Sequence, residues 1–349
     1  MKNLAEFQSF FEETLAPALE EVEARRKGLR KAGWISFLTG VIIVFVHFAI
    51  LYLFSLDDYY WTLAITLLIT PPAIYFIFRN KFYDDTIAPE FKDIAVRQMV
   101  SFMSDALDYD PDGYVPYEEF QDSELYPLVP DHYIGDDFMT GEIDGHPAQL
   151  SELLVQIQDQ SHGAKEKNNW ITSFKGLFMV VDVDQEFPHR TFVFSDKLQQ
   201  RYDYTGRLIQ AGNSMYGYYV NSHRRRFSDR FVVYCEDDIE GERLLTERFM
   251  DELLQLQYNT KSNVHISLLN GKMYVAIERK KDFFEVDLSR SMLDFKYIVS
   301  FYRDLYLVFN MVNDLNVNDM FGGESENIDD GEGIDEEGGE EEGEDSEEE

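Results

Sequence analysis

The chain has 349 residues and a formal net charge of -35, from 66 acidic and 31 basic residues. Residues 324–349 hold 16 of the acids and no Lys or Arg, but the remainder is still acidic by 19 (50 against 31). Nucleic acid is therefore excluded as an expected partner, because its phosphates are bound by clustered basic residues. The single cysteine, Cys235, cannot form an intramolecular disulfide and suits a reducing cytosol, where we interpret it as a buried strand thiol.

Residues 1–33 are predicted to form a cytoplasmic amphipathic helix. Apolar residues recur every three or four positions from Leu4 to Val22, and Pro17 predicts a bend. The opposite face is rich in Glu rather than Lys, so we expect the apolar stripe to pack on this chain's own globular part or on a second copy, not on lipid. A homo-oligomer therefore stays open as a partner.

Two apolar runs, residues 34–56 and 60–78, predict a membrane α-helical hairpin. The first run has no formally charged residue and exceeds the roughly 20 residues that a bilayer core requires. The second carries Pro71 and Pro72, which should bend it. Because the link is so short, the second helix must return antiparallel to the first. We predict transmembrane helices at both runs.

Basic residues flank the hairpin and are missing from its short link. They are Arg25, Arg26, Lys27, Arg30 and Lys31 before it and Arg79 and Lys81 after it. Lys and Arg remain on the cytoplasmic side of bacterial-type membrane proteins. The expected location is the plasma (inner) membrane, with both termini in the cytoplasm and the lipid bilayer as one partner.

Residues 79–135 are predicted to be a helical connector with an acidic turn. A helix over Pro89–Leu107 leads into a segment that fits the twelve-residue EF-hand calcium loop. Its oxygen ligands would be Asp108, Asp110, Asp112, the Tyr114 carbonyl and Glu119. An acidic turn without calcium is the alternative, because Pro127 would end the exit helix and no second hand follows. No cofactor is required, and calcium is the one metal that the sequence suggests.

Residues 136–320 are predicted to be a cytoplasmic α+β domain with a mainly antiparallel sheet. Residue type indicates strands at 174–183, 191–194, 215–220, 230–234, 264–269 and 272–278, and helices at 149–158, 246–257 and 293–313. The pair Asn270-Gly271 joins the last two strands and is typical of a type I′ hairpin. Beyond the domain, residues 321–349 mix Gly with acids and are predicted to be a disordered acidic C-terminal tail.

Several segments resemble a bacterial family of two-span membrane proteins catalogued as domain of unknown function 3137. They are Leu15–Leu19 with Glu23 and Arg25, Gly141–Ile143, Leu150–Leu153, Phe174–Phe178, Phe227–Asp237 and Leu244–Leu253. The resemblance covers roughly residues 4 to 315 and implies the same topology. Since it implies no established activity, it supplies no catalytic residue.

The chain lacks the common catalytic sequence motifs. The chain has no His-x-x-x-His or Cys-x-x-Cys spacing, no Walker loop and no Gly-x-Ser-x-Gly elbow. Five polar residues crowd one stretch: His132, Asp136, Asp137, Asp144 and His146. A cleft that gathered His132, Asp144 and His146 would indicate a hydrolase-like membrane-bound enzyme.

We predict instead a membrane-tethered cytoplasmic interaction or assembly module that binds other membrane or cytoplasmic proteins. The membrane-bound enzyme is the alternative. A channel or transporter component is less favoured, since His47 is the only ionisable residue of the Asp, Glu, Lys, Arg and His types in either span.

Overall fold

The computed structural model describes residues 4–54, 86–143, 145–158, 170–183, 187–195 and 213–314, together with Trp61 and Leu68. The predicted second span, apart from those two residues, and the acidic tail lie outside the described residues. Asp144 also lies outside them.

The described elements comprise both helices and strands. The helices are α1 (Leu4–Phe10), a π-helical segment (Phe11–Leu15), α2 (Ala16–Phe54), α3 (Ile87–Met103), α4 (Tyr117–Asp122), α5 (Asn213–Tyr216), α6 (Arg225–Ser228), α7 (Asp238–Leu244), α8 (Glu247–Thr260) and α9 (Phe295–Asp314). The strands are β1 (Leu107–Asp110), β2 (His132–Ile143), β3 (His146–Gln158), β4 (Trp170–Asp182), β5 (Thr191–Ser195), β6 (Tyr218–Val220), β7 (Phe231–Cys235), β8 (Val264–Leu269) and β9 (Lys272–Glu278).

The described strands form one antiparallel sheet in the order β1-β2-β3-β4-β9-β8-β5-β7-β6. This confirms the predicted antiparallel sheet, and all six strands expected from residue type overlap observed ones. Asn270 and Gly271 adopt φ values of 54° and 70° between β8 and β9, as a type I′ turn requires. Cys235 is buried at the end of β7, which confirms its prediction as a strand thiol.

The segment predicted as a helix over Gln149–Gln158 is in fact most of strand β3. Leu150, Leu153 and Leu154 have helical spacing, which misled the prediction. The pairing of β3 with β2 on one side and β4 on the other supplies its backbone hydrogen bonds. Those long-range ladders outweigh the local preference of Leu and Gln for helix.

The N-terminal helix is continuous from α1 to the end of α2. A bend is expected at Pro17, and the π-helical segment ends two residues before it, at Leu15. A proline ring clashes with the carbonyl four residues earlier, here that of Glu13, and a wider turn relieves such a clash.

The apolar stripe of this helix packs on the chain's own domain, one of the two surfaces predicted for it. Its buried members are Phe7, Phe11, Leu15, Leu19 and Val22. The ring of Phe7 stacks on Tyr302 of α9 with centroids 4.0 Å apart, and Phe10 stacks on Phe102 of α3 at 4.4 Å. The helix that approaches the predicted membrane segment is therefore part of the domain core.

The sheet separates two apolar clusters. The larger cluster lies between the sheet and helices α1, α2, α3, α8 and α9. The smaller one covers the opposite face with Val115, Phe120 and Leu125 around α4 and with Tyr216 of α5. Strand β2 lies between β1 and β3, helix α3 packs against β1, and a group of ionisable side chains is buried there.

Candidate functional site

Two adjacent carboxylates, those of Asp136 and Asp137, lie at a β-bulge in strand β2. The register with β3 shifts between Asp136 and Met139, and Asp137 has a φ of 58°, which is rare outside glycine. The Asp137 N–H donates to the Pro111 carbonyl at 3.2 Å instead of to β3. The bulge therefore directs the Asp137 side chain toward β1 and α3.

Asp137 is almost completely buried, with 2 % of its side chain exposed. Its carboxylate accepts hydrogen bonds from Lys92 Nζ of α3, at 2.7 Å, and from the hydroxyl of Tyr109. The same ammonium group donates to the half-exposed Asp136 at 2.9 Å. Burial raises the pKa of Asp137 to about 6 although Lys92 opposes the shift, and the charge of Asp136 adds to the rise.

Glu152 on β3 lies opposite Asp136 in the ladder and is 5 % exposed. Its Oε2 atom accepts the Phe283 N–H at 2.7 Å, whereas its Oε1 atom is buried without a hydrogen-bond partner among the described residues. Burial raises the pKa of this carboxyl group to about 8, against the effect of the Phe283 N–H, and the charges of Asp282, Asp136 and Asp137 add to the rise.

Glu152 faces a pocket of about 300 Å³ that is lined by Ile134, Gly135, Asp136, Glu152, Leu153, Leu154, Lys175 and Asp282. Lys175 Nζ does not bond to Glu152 but pairs with Asp282 at 2.7 Å. The pocket thus has apolar walls, a buried carboxyl group with a free oxygen, and an ion pair at its side.

Oxygens of Asp136, Asp137 and Glu152 lie within 4.8 Å of one another. Carboxylate oxygens are the ligands of hard cations such as calcium, manganese and magnesium. Within the described ranges, this is the group of three acidic, His or Cys side chains that converges closely enough to hold a metal ion.

His132 and His146, the two histidines named for the enzyme alternative, lie far apart. His132 begins β2 in an exposed position, with Nδ1 3.4 Å from Gln156 Oε1, whereas His146 begins β3 beside Ile143. His132 and Ile143 are the two ends of a twelve-residue strand and lie roughly 35 Å apart. His132 and His146 are therefore not gathered in a common cleft, which is the arrangement that the enzyme alternative would require. Asp136, from the same crowded stretch, does line the pocket, whereas Asp137 contacts Lys92 and Tyr109.

The predicted calcium loop has other contacts in the structure. Asp108 and Asp110 belong to β1, where Asp110 Oδ1 accepts the Asp112 N–H at 3.1 Å. Glu119, the expected bidentate ligand, pairs with Lys272 at 2.6 Å. An ion in this loop would have to displace the Lys272 ammonium group from Glu119. Calcium binding by the loop remains a prediction.

Sequence reasoning missed Lys92, Tyr109, Glu152 and Lys175. A signal existed for Glu152, because it is a lone acid inside the apolar run from Leu150 to Val155. A charged residue within a buried strand is rarely accommodated without a specific reason. Lys92, Tyr109 and Lys175 lie at the site because of contacts between residues distant in sequence, which a local sequence pattern does not indicate.

Comparisons with known proteins give limited information about activity. A search of curated proteins finds no match. Among solved structures, the crystal structure of the mycobacterial trehalose monomycolate transport factor A is similar at 9 % identity and a TM-score of 0.29, covering 63 % of this chain and 95 % of that one. A likeness this weak carries no functional argument. Residues 172–317, from β4 to beyond α9, match the family described as "Protein of unknown function (DUF3137)", in agreement with the resemblance seen in the sequence.

Proposed function

We propose that this protein is a membrane-tethered cytoplasmic interaction or assembly module. It is anchored in the plasma membrane by a two-span hairpin, with both termini in the cytoplasm and the α+β domain held at the membrane surface. The observation that carries this proposal concerns the two halves of α2. The first half is packed into the domain core, whereas the second half is apolar and exposed.

The beginning of α2 is bonded into the domain. Glu23 accepts hydrogen bonds from Ser291 and from the Met292 N–H, and Arg26 donates to the Leu288 carbonyl at 3.0 Å. Arg30 donates to the Ser289 carbonyl, also at 3.0 Å. These contacts fix the direction in which the helix leaves the domain.

The continuation of α2 is apolar and uncovered. Trp34 and Phe45 are 62 % and 76 % exposed, and this is the one described helix that is long and apolar enough to cross a membrane. Soluble proteins rarely expose apolar patches of this size. Arg30 precedes Trp34 by four residues, or about 6 Å of helix, so the domain would lie directly beneath the headgroups.

Thiol labelling tests the topology. A cysteine at Asp58 should react with a membrane-impermeant maleimide added to intact cells, and one at Glu349 only after permeabilisation. The unaltered chain is the matched control, since its single thiol, Cys235, is buried. Labelling of Glu349→Cys from outside, or release of the protein by an alkaline carbonate wash, would contradict the anchor.

Cross-linking in intact membranes, followed by purification in mild detergent, tests the proposed interaction role. We expect a stoichiometric protein partner or a second copy of the chain. A monomer that is never cross-linked in its native membrane would argue against the interaction role. The enzyme alternative as stated from the sequence is not supported by its two histidines, because His132 and His146 lie far apart in the sheet.

A further inference from the structure

We propose that Asp136, Asp137 and Glu152 bind one hard divalent cation of calcium or manganese size. The site is built from the bulge of β2 and the facing residue of β3, and it opens into the pocket beside Lys175 and Asp282. It is distinct from the calcium loop predicted at Asp108 to Glu119.

The spacing of the oxygens fits such an ion. Atoms of the three carboxylates lie within 4.8 Å of one another, and three oxygens at that separation can all approach a common point to within about 2.8 Å. Calcium–oxygen distances are about 2.3–2.6 Å, so small side-chain movements would complete the contacts. Magnesium needs about 2.0–2.1 Å and a near-ideal octahedron, so it should bind less well.

An independent observation is the free oxygen of Glu152. The residue is 5 % exposed and lines the pocket, and its Oε1 atom is buried with no hydrogen-bond partner among the described residues. A buried polar atom without a hydrogen bond carries a desolvation penalty that a ligand would relieve. Oε2 is already held by the Phe283 N–H, which keeps the carboxylate oriented.

The balance of charge points the same way. Four carboxylates, those of Asp136, Asp137, Glu152 and Asp282, line the pocket or adjoin it, against the two ammonium groups of Lys92 and Lys175. With every group ionised, two negative charges remain, which one divalent cation would balance. Lys92 Nζ bonds to both aspartates from the α3 side, so the ion would bind between the two aspartates and Glu152.

The experiment uses the full chain in mild detergent, stripped with EDTA and titrated with Mn²⁺, Ca²⁺ or Mg²⁺. Electron paramagnetic resonance counts the free Mn²⁺, and thermal unfolding reports stabilisation by all three ions. We expect Glu152→Gln and Asp136→Asn to weaken Mn²⁺ binding at least tenfold. Glutamine keeps an acceptor for the Phe283 N–H, and melting in EDTA verifies that each variant folds.

Asp112→Asn is the matched control, because it makes the same chemical change at an exposed residue of the other candidate site. It should retain both the tight Mn²⁺ and the rise in melting temperature, which should be about 5 °C at 100-fold excess over the dissociation constant. Weak binding to the acidic tail is common to all variants and cancels. Three results would overturn the proposal: no tight Mn²⁺ in the unaltered chain, equal binding in every variant, or loss only in Asp112→Asn.

Discussion

The carboxylate of Glu23 accepts the main-chain N–H of Met292, 269 residues later in the chain, at 3.0 Å. The same carboxylate pairs with Arg26 at 2.7 Å, and both side chains are almost completely buried. This contact joins α2, whose second half is exposed and apolar, to the loop that precedes α9. It fixes the beginning of α2 to the domain.

We therefore predict that Glu23→Ala lowers the free energy of unfolding by about 3–5 kcal/mol, because it leaves a buried guanidinium group and a main-chain N–H without their partner. Thermal or chemical unfolding of the full chain in detergent measures the loss. Glu21→Ala, an exposed neighbour on the same helix, is the control and should change stability by less than about 0.5 kcal/mol. Equal losses for the two variants would show that Glu23 has no special role.

Protonation of Glu23 at low pH should also lower the free energy of unfolding. Burial alone would raise its pKa, but hydrogen bonds from Arg26, Met292 and Ser291 lower the pKa from 4.5 to about 2. Because the folded pKa is the lower one, Glu23 contributes its stability above pH 4.5 and loses it as the pH falls toward 2. The loss should reach up to about 3 kcal/mol. Glu23→Gln should show a shallower fall in unfolding free energy over this window, and parallel curves would contradict the assignment.

Two glycines should respond in opposite ways to alanine. Gly176 has a φ of 148°, and a Cβ there would collide with the Ile277 carbonyl oxygen of the neighbouring strand. Gly28 lies in α2 with no atom within 4 Å of the added Cβ. We predict that Gly176→Ala strongly lowers the melting temperature, whereas Gly28→Ala stabilises the protein by about 0.5–1 kcal/mol. A harmless Gly176→Ala would show that β4 and β9 can separate at little cost.

The parts of the fold that depend on local pattern could be predicted from the sequence. The stripe from Phe7 to Val22 has helical spacing, and Asn270-Gly271 supplies the two positive φ angles of its turn. Strand β3 was missed because leucines spaced three and four apart are compatible with either structure. Its two neighbours in the sheet decided the outcome, and neither can be read from the segment itself.

The candidate site could not be predicted for a related reason. Lys92 is 44 residues from Asp136, and the Phe283 N–H is 131 residues from Glu152. Only the register of β2 with β3, interrupted by one bulge, places Glu152 opposite Asp136. The sequence identified the aspartates as polar and crowded, but it contains no local signal for the register that gives them a buried partner.

The last prediction concerns the stability of the cation-free protein. Burial raises the pKa of Glu152 from 4.5 to about 8. Because the folded pKa is the higher one, the contribution of Glu152 is fully present below pH 4.5 and is lost as the pH rises through 8. Glu152→Gln cannot ionise, so in EDTA at pH 8 we expect it to be about 1–3 kcal/mol more stable than the unaltered chain, with a smaller difference at pH 5. Glu142→Gln, exposed on the same hairpin, is the control and should show no such gain.

Unfolding curves at both pH values, with and without Ca²⁺, provide the measurement. Calcium should stabilise the unaltered chain and leave Glu152→Gln unchanged, whereas a destabilised Glu152→Gln in EDTA would mean that the carboxyl group is already satisfied without an ion.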